Sequence, residues 1–430
     1  MKKILLIIFI LFAAGMSQAQ LRWRVVGKMP YPVSGGQVVY DIAAQSSKIY
    51  ILGGYSDSLQ SAVDWIQEYD VEKNTWKMVG RMLQPRDQFV ADIWKSSIMY
   101  FGGTVDASTD KNAIESWDYK IVTNLASVYD RNKNFGRLFS TGQIVGENFY
   151  IIGGDPATPG DTLSYIQAYN LSAKQNGISF NSPSPDPPRQ RMTFIVGNNI
   201  YIFGGVINGV MKAIQKFNIS TQTLTDMPEQ LNESRAAGSA VYNPLSQKGF
   251  IIGGYNETLT ALNTVEQIEI QPDGSLKITS LVSAPLTYAR SGLMAVAYKN
   301  GFVAVFGGRT ERGHLGKVVP YIEILDEGTS AQDNAELPKE FLLGQNFPNP
   351  FNPSTVISYQ VSAVSQVQLK IFDSIGREIT ALVNEEKTPG KYQVSWNGED
   401  KNGNKVPSGI YFYRMTTGNY SLTKKMILLK

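Results

Sequence analysis

The sequence predicts an all-β chain: a six-bladed β-propeller closed by an N-terminal strand, followed by a small β-sandwich. Three observations predict it. First, an apolar strand runs into two adjacent glycines six times, at Gly53-Gly54, Gly102-Gly103, Gly153-Gly154, Gly204-Gly205, Gly253-Gly254 and Gly307-Gly308. Second, the first glycines are 49, 51, 51, 49 and 54 residues apart, the length of one four-stranded propeller blade. Third, only one strand, "VVPYIEIL", follows the sixth pair before the sequence turns polar, whereas "LRWRVVGKMP" near the N-terminus has no glycine pair ahead of it. The segment containing Trp23, Met29 and Pro30 therefore supplies the missing fourth strand of blade 6, and closing the ring there leaves no open sheet edge between the first and last blades.

Within a repeat the strands are counted outward from the axis. In blade 1, "GGQVVYDI" is the first, "KIYILGG" the second, and "AVDWIQEYDV" and "TWKMVG" the third and fourth. Short apolar or alternating runs bounded by Gly, Asn, Asp and Pro recur throughout, and no segment sustains a helical period.

These repeats resemble the kelch family, in which the glycine pair is followed by a Tyr, a Trp seven residues later, then Met-Pro and Arg. Blade 1 carries nearly all of this in Gly53, Gly54, Tyr69, Trp76, Met82 and Arg86. Tyr169 and Tyr321 fit the tyrosine position in blades 3 and 6, Phe217 replaces it in blade 4, and Ile268 or Ile270 stands there in blade 5. Blade 2 offers two registers. Tyr119 lies 16 residues beyond Gly103 and Tyr129 lies 26, against 15 from Gly54 to Tyr69, so Tyr119 is expected on the third strand and "LASVYD" on the fourth. The resemblance implies a six-bladed kelch propeller over residues 20–326.

The N-terminal "MKKILLIIFILFAAGMSQAQ" has two lysines, an apolar run and a small-x-small site, the pattern of a secretory signal peptide over residues 1–19. No later run is long enough for a transmembrane helix. A net charge of +3 from 40 basic and 37 acidic residues, spread along the chain, gives no footprint for nucleic acid. The absence of cysteine removes thiol chemistry and disulfides, and His314 is the lone histidine.

From Asp326 the chain is polar and without a strand period, so residues 327–344 read as a linker. Beyond it, "NFPNPFNPST", "DSIGREI", "WNGEDKNGNKVPSGIYFYR" and "TKKMILLK" are short strands and tight turns of a β-sandwich. In kind and order these pieces resemble the C-terminal sorting domain of the type IX secretion system, itself similar to the immunoglobulin-like domain of the flagellar hook-cap protein. The resemblance covers residues 345–430. It implies export to the periplasm followed by passage through the type IX machinery, leaving the protein secreted or attached to the outer cell surface.

Chemistry is expected at one mouth. The second strand ends on the face where the first begins, so loops after the glycine pairs and segments before the first strands converge. The loops carry Asp57, Asp106, Asp110, Asp155, Asp161, Asn208, Asn256, Glu257, Arg309, Glu311, Arg312 and His314. The segments carry Arg86, Arg137, Arg191, Arg235 and Arg290, which recur 13 to 18 residues before their glycine pairs. An inward ring of guanidinium groups would bind anions bidentately. Arginine at this position also belongs to the kelch pattern, and bonding between neighbouring blades is the stronger reading.

No catalytic residue, metal or cofactor is expected. Serine nucleophile, zinc and Walker motifs are missing, and the copper radical oxidases of similar architecture need a cysteine and two histidine ligands. The expected function is binding of an extracellular protein or glycan. The alternatives are a sugar-modifying enzyme, such as a sialic acid mutarotase-like kelch protein, or an extracellular adhesive or structural role.

Overall fold

The computed structural model describes residues 21–429 except 42–45, 104–109, 121–124, 133–134, 159–160, 182–187, 299–300, 327–340, 362–364, 388–389 and 418–419. The expected signal peptide and most of the expected linker lie outside the described residues.

Six antiparallel four-stranded sheets follow one another along the chain. Blade 1 is Gln37–Val39, Lys48–Leu52, Trp65–Asp70 and Thr75–Arg81, ordered outward. Blades 2 to 5 repeat this order from first strands Val90–Trp94, Thr141–Val145, Met192–Val196 and Ser239–Asn243. Blade 6 is Ser291–Tyr298, Phe302–Arg309 and Tyr321–Asp326, with Arg22–Lys28 as its fourth strand. First strands of successive blades lie side by side around the axis, and that of blade 6 lies beside that of blade 1. The ring is closed as expected: Trp23 stands opposite Leu325 in blade 6, just as Trp76 stands opposite Tyr69 in blade 1.

Packing explains why the second strands are apolar without alternation. In Lys48–Leu52 every residue after the first is buried, and the same holds in blades 2 to 5. Each such strand is covered on both faces by neighbouring blades. Ile49 and Ile51 pack with Ala304 and Phe306 of blade 6, while Tyr50 and Leu52 pack with Ile98 and Tyr100 of blade 2. Equivalent cores fill the other four junctions. Outer strands such as Thr223–Gln230 are largely solvated.

Pairing settles the tyrosine position and corrects two expectations. Tyr69, Tyr169 and Phe217 each stand opposite the residue four before their glycine pair. In blade 2 that place belongs to Trp117, opposite Ile98. Tyr119 falls one residue beyond the third strand, where its hydroxyl donates to Asp41 Oδ2 at 2.5 Å. Blade 5 uses Ile268, opposite Gly249, and blade 6 uses Leu325, opposite Val303, instead of Tyr321. The loops after the glycine pairs differ in length, so counting from glycine misplaces the register by a few residues. The fourth strand of blade 2, Ser127–Arg131, overlaps the expected segment and runs one residue past it.

The C-terminal unit pairs Leu342–Leu343, Thr355–Val361 and Gly390–Trp396 in one sheet. The other holds Glu378–Lys387, Ser365–Asp373, Gly409–Thr417 and Tyr420–Leu428. Alternate residues of Thr355–Val361 are buried, the pattern of a strand with one face on a core. That core includes Ile357, Leu369, Trp396, Tyr413 and Met426. Leu343, ahead of the expected start at 345, is buried in it; two leucines are too short a run to show a period.

Candidate binding mouth

The glycine pairs join one blade to the next. The second glycine of each pair donates its N–H to the carbonyl of a residue leading into the following blade: Gly54 to Arg86, Gly103 to Arg137, Gly154 to Pro188, Gly205 to Arg235, Gly254 to Arg290 and Gly308 to Val33. At Gly307, φ is 56° and a Cβ would stand 2.1 Å from the Val33 carbonyl oxygen, so only glycine fits.

Four of the candidate arginines lie inside the blades. Arg86, Arg137, Arg235 and Arg290 have no exposed surface. Each Nη1 donates to the carbonyl of its blade's first glycine: Gly102 at 2.8 Å, Gly153 at 3.0 Å, Gly253 at 3.0 Å and Gly307 at 2.9 Å. Nη2 of Arg86 donates to Glu115, that of Arg235 to Glu266 at 2.8 Å, and that of Arg290 to Glu323 at 2.6 Å. These glutamates stand on the third strand two residues before the tyrosine position, where blades 1, 3 and 4 carry Gln67, Gln167 and Gln215. In blade 3 burial pulls the Arg137 guanidinium down to about 10. The sequence reading missed the glutamates, because their spacing shows only once the tyrosine register is known.

Arg191 is a different case. Pro188 holds its repeat position, accepting the Gly154 amide, and Arg191 follows three residues later. Its Nη2 donates to the Ile202 carbonyl at 3.2 Å, and burial lowers its pKa.

The loops meet the segments before the first strands as expected. Ser34 bridges Tyr55, Leu138 pairs Asp155, Arg189 bridges Val206 and Ala236 bridges Tyr255. Asp155 accepts from Arg189 at 3.2 Å. Arg309 is buried, and its Nη2 lies 2.6 Å from Asp57 Oδ1. Arg312 is exposed, and Asp106 lies outside the described residues.

An axial channel of about 510 Å³ runs between the first strands, bordered by Gln37, Asp87, Asp92, Gln143, Thr193 and Ser239 among others. Burial pushes the Asp92 carboxyl up to about 6, although Asp92 Oδ2 accepts the Ile144 amide at 2.7 Å. At the mouth, residues in the left-handed region form a ring, one per blade: Gly35, Gln88, Phe139, Gln190, Ala237 and Gly292. Five of the six donate the amide to the carbonyl of the preceding blade's member, from Gln88 to Gly35, Gln190 to Phe139, Ala237 to Gln190, Gly292 to Ala237 and Gly35 to Gly292. Among the described residues the sixth link, Phe139 to Gln88, is not made.

The blade 6 loop crosses blade 1 to reach the lead-in of blade 2. Arg309 holds it through the carbonyls of Leu315 at 2.8 Å and Gly316 at 3.0 Å. At its tip His314 Nε2 is 2.6 Å from Asp87 Oδ2, and the imidazole stacks on Tyr55 at 3.9 Å. Gly313 and His314 border the channel. Asp87 was not among the candidates, since nothing in its local sequence separates it from an ordinary turn aspartate.

Comparison with known proteins agrees with this architecture. Residues 42–83 match the kelch motif, and residues 351–421 match the FlgD Ig-like domain. The chain is 24% identical over 230 residues to Kelch-like protein 26 of Danio rerio, covering 51% of this chain and 36% of that protein's length. These matches support a kelch-repeat protein with an immunoglobulin-like domain at its C-terminus.

Proposed function

We propose that this chain is an exported binding protein whose propeller mouth holds a protein or glycan outside the cell. The convergence of the loops over one channel carries this reading, because it gathers side chains from separate blades onto a single rigid face. The outward loops carry mixed charge and exposed leucines at Leu59, Leu259 and Leu315. The fold's use elsewhere as a binding platform is an analogy and supports the reading only as that.

The export route rests on the N-terminal run and on the sequence pieces in residues 345–430, through which the type IX machinery would act. The test uses the full chain on glycan arrays and in pull-downs from culture medium. A ligand is expected, and it should be lost when Glu257 and Arg312 are both changed to Ala. Retention by that variant would place binding away from these two loop residues. In a host with type IX secretion, deleting residues 351–430 should leave the protein in the periplasm; surface delivery of the truncated chain would sink the export proposal.

A further inference from the structure

We propose that the Asp87–His314 pair at the channel mouth binds a neutral sugar residue. The proposal rests on the binding reading above and narrows it to a glycan and a site. It starts from an unmet need. Asp87 is 1% exposed, His314 takes its Oδ2, and its Oδ1 is buried with no hydrogen-bond partner. A buried carboxylate oxygen without a donor is costly, and folds retain one where something else supplies the donor.

The surroundings define that donor. Gln88, adjacent in the chain, is where the ring of peptide links is broken, leaving its carbonyl and the Phe139 amide unjoined to each other. The rim therefore offers two acceptors and one donor. Hydroxyl groups of a pyranose donate and accept, so one ligand can serve all three; an ammonium group would suit the acceptors but oppose the Phe139 amide. The imidazole has one face on Tyr55, and its side chain is 40% exposed, which leaves surface for the C–H face of a sugar ring. The buried arginines around the mouth are engaged within the blades and offer no anion site there.

His314 is also the part able to make room. It stands between Gly313 and Gly316, both at positive φ, on a loop whose residues 310–317 are exposed. For a ligand to reach Asp87 Oδ1 the His314 side chain has to give way, while Arg309 keeps the neighbouring Leu315 and Gly316 in place.

The single histidine makes the test direct. The imidazole Cε1–H resonance of the full chain is followed by NMR while methyl β-glucoside, methyl β-galactoside, methyl α-mannoside and N-acetylglucosamine are added in turn. At least one should shift it saturably, and isothermal titration calorimetry, which needs no imidazole signal, should show Asp87→Asn and His314→Ala each weakening that binding at least tenfold. Two variants guard against a folding artefact, since His314 is an exposed loop residue. If none of these sugars moves the resonance while a protein partner is still captured, the sugar site is wrong and the binding reading stands. Sugar binding unchanged in both variants would likewise overturn the site. Failure to bind either sugars or proteins would sink both.

Discussion

Arg290 Nη2 stands 2.6 Å from Glu323 Oε1, with neither side chain exposed, and the same pairing joins Arg235 to Glu266 and Arg86 to Glu115. Glu323 also accepts the amides of Thr287 at 2.6 Å and Tyr288 at 3.3 Å, so one carboxylate ties the lead-in of blade 6 to its third strand. Removing it strands a buried guanidinium. Glu323→Ala should destabilise the propeller by about 3–5 kcal/mol, read as a fall in the urea midpoint. The double variant Arg290→Met/Glu323→Leu should lose less than Glu323→Ala, because no unpaired charge is left behind. Equal losses would show that packing, and not the charge, sets the cost.

Ring closure predicts a strong effect at Trp23. Its side chain is 8% exposed and packs with Phe250 and Leu325 between blades 5 and 6. Trp23→Ala should cost about 3–5 kcal/mol, more than Trp76→Ala, whose ring is only half-buried. Thermal unfolding of the two variants side by side checks the order.

The glycine pairs predict a steric failure. Gly307→Ala would press a Cβ onto the Val33 carbonyl oxygen at a positive φ, a strain of about 1–3 kcal/mol from the backbone alone. Gly209→Ala, where the added Cβ meets nothing within 4 Å, should be tolerated. Denaturation midpoints distinguish the two.

Asp92 predicts a pH dependence. Burial raises its carboxyl from 3.8 to about 6 in the folded protein. Between those values the folded state binds more protons than the unfolded chain, so this group's contribution is full below 3.8 and is lost as pH rises through about 6. Asp92→Asn should therefore gain stability relative to the parent at pH 7 and lose that advantage at pH 4. A constant difference between the two proteins across that range would remove Asp92 as the cause.

Much of the fold is legible in the residues. Six glycine pairs mark the blades because a strand leaving a packed junction needs a backbone without Cβ, and that need shows as a fixed period. Trp23 announces the closing strand for a similar reason: it repeats the role of Trp76 far from any glycine pair. Less of the mouth is legible. Counting predicted Tyr119 and Tyr321 at positions held by Trp117 and Leu325, since loop lengths absorb the difference. Arg191 was grouped with four arginines whose repeat position it does not share.

The number of blades, their order, the closure of the ring and the separate C-terminal unit are each written in the chain as local periodicity or as short turn-rich motifs. What the charged residues do emerges only from the packing of the folded blades. Arg290 meets Glu323 across 33 residues and His314 meets Asp87 across 227. Such partners are chosen by the stacking of blades around an axis, and nothing in the spacing along a chain records which side chains that stacking brings together.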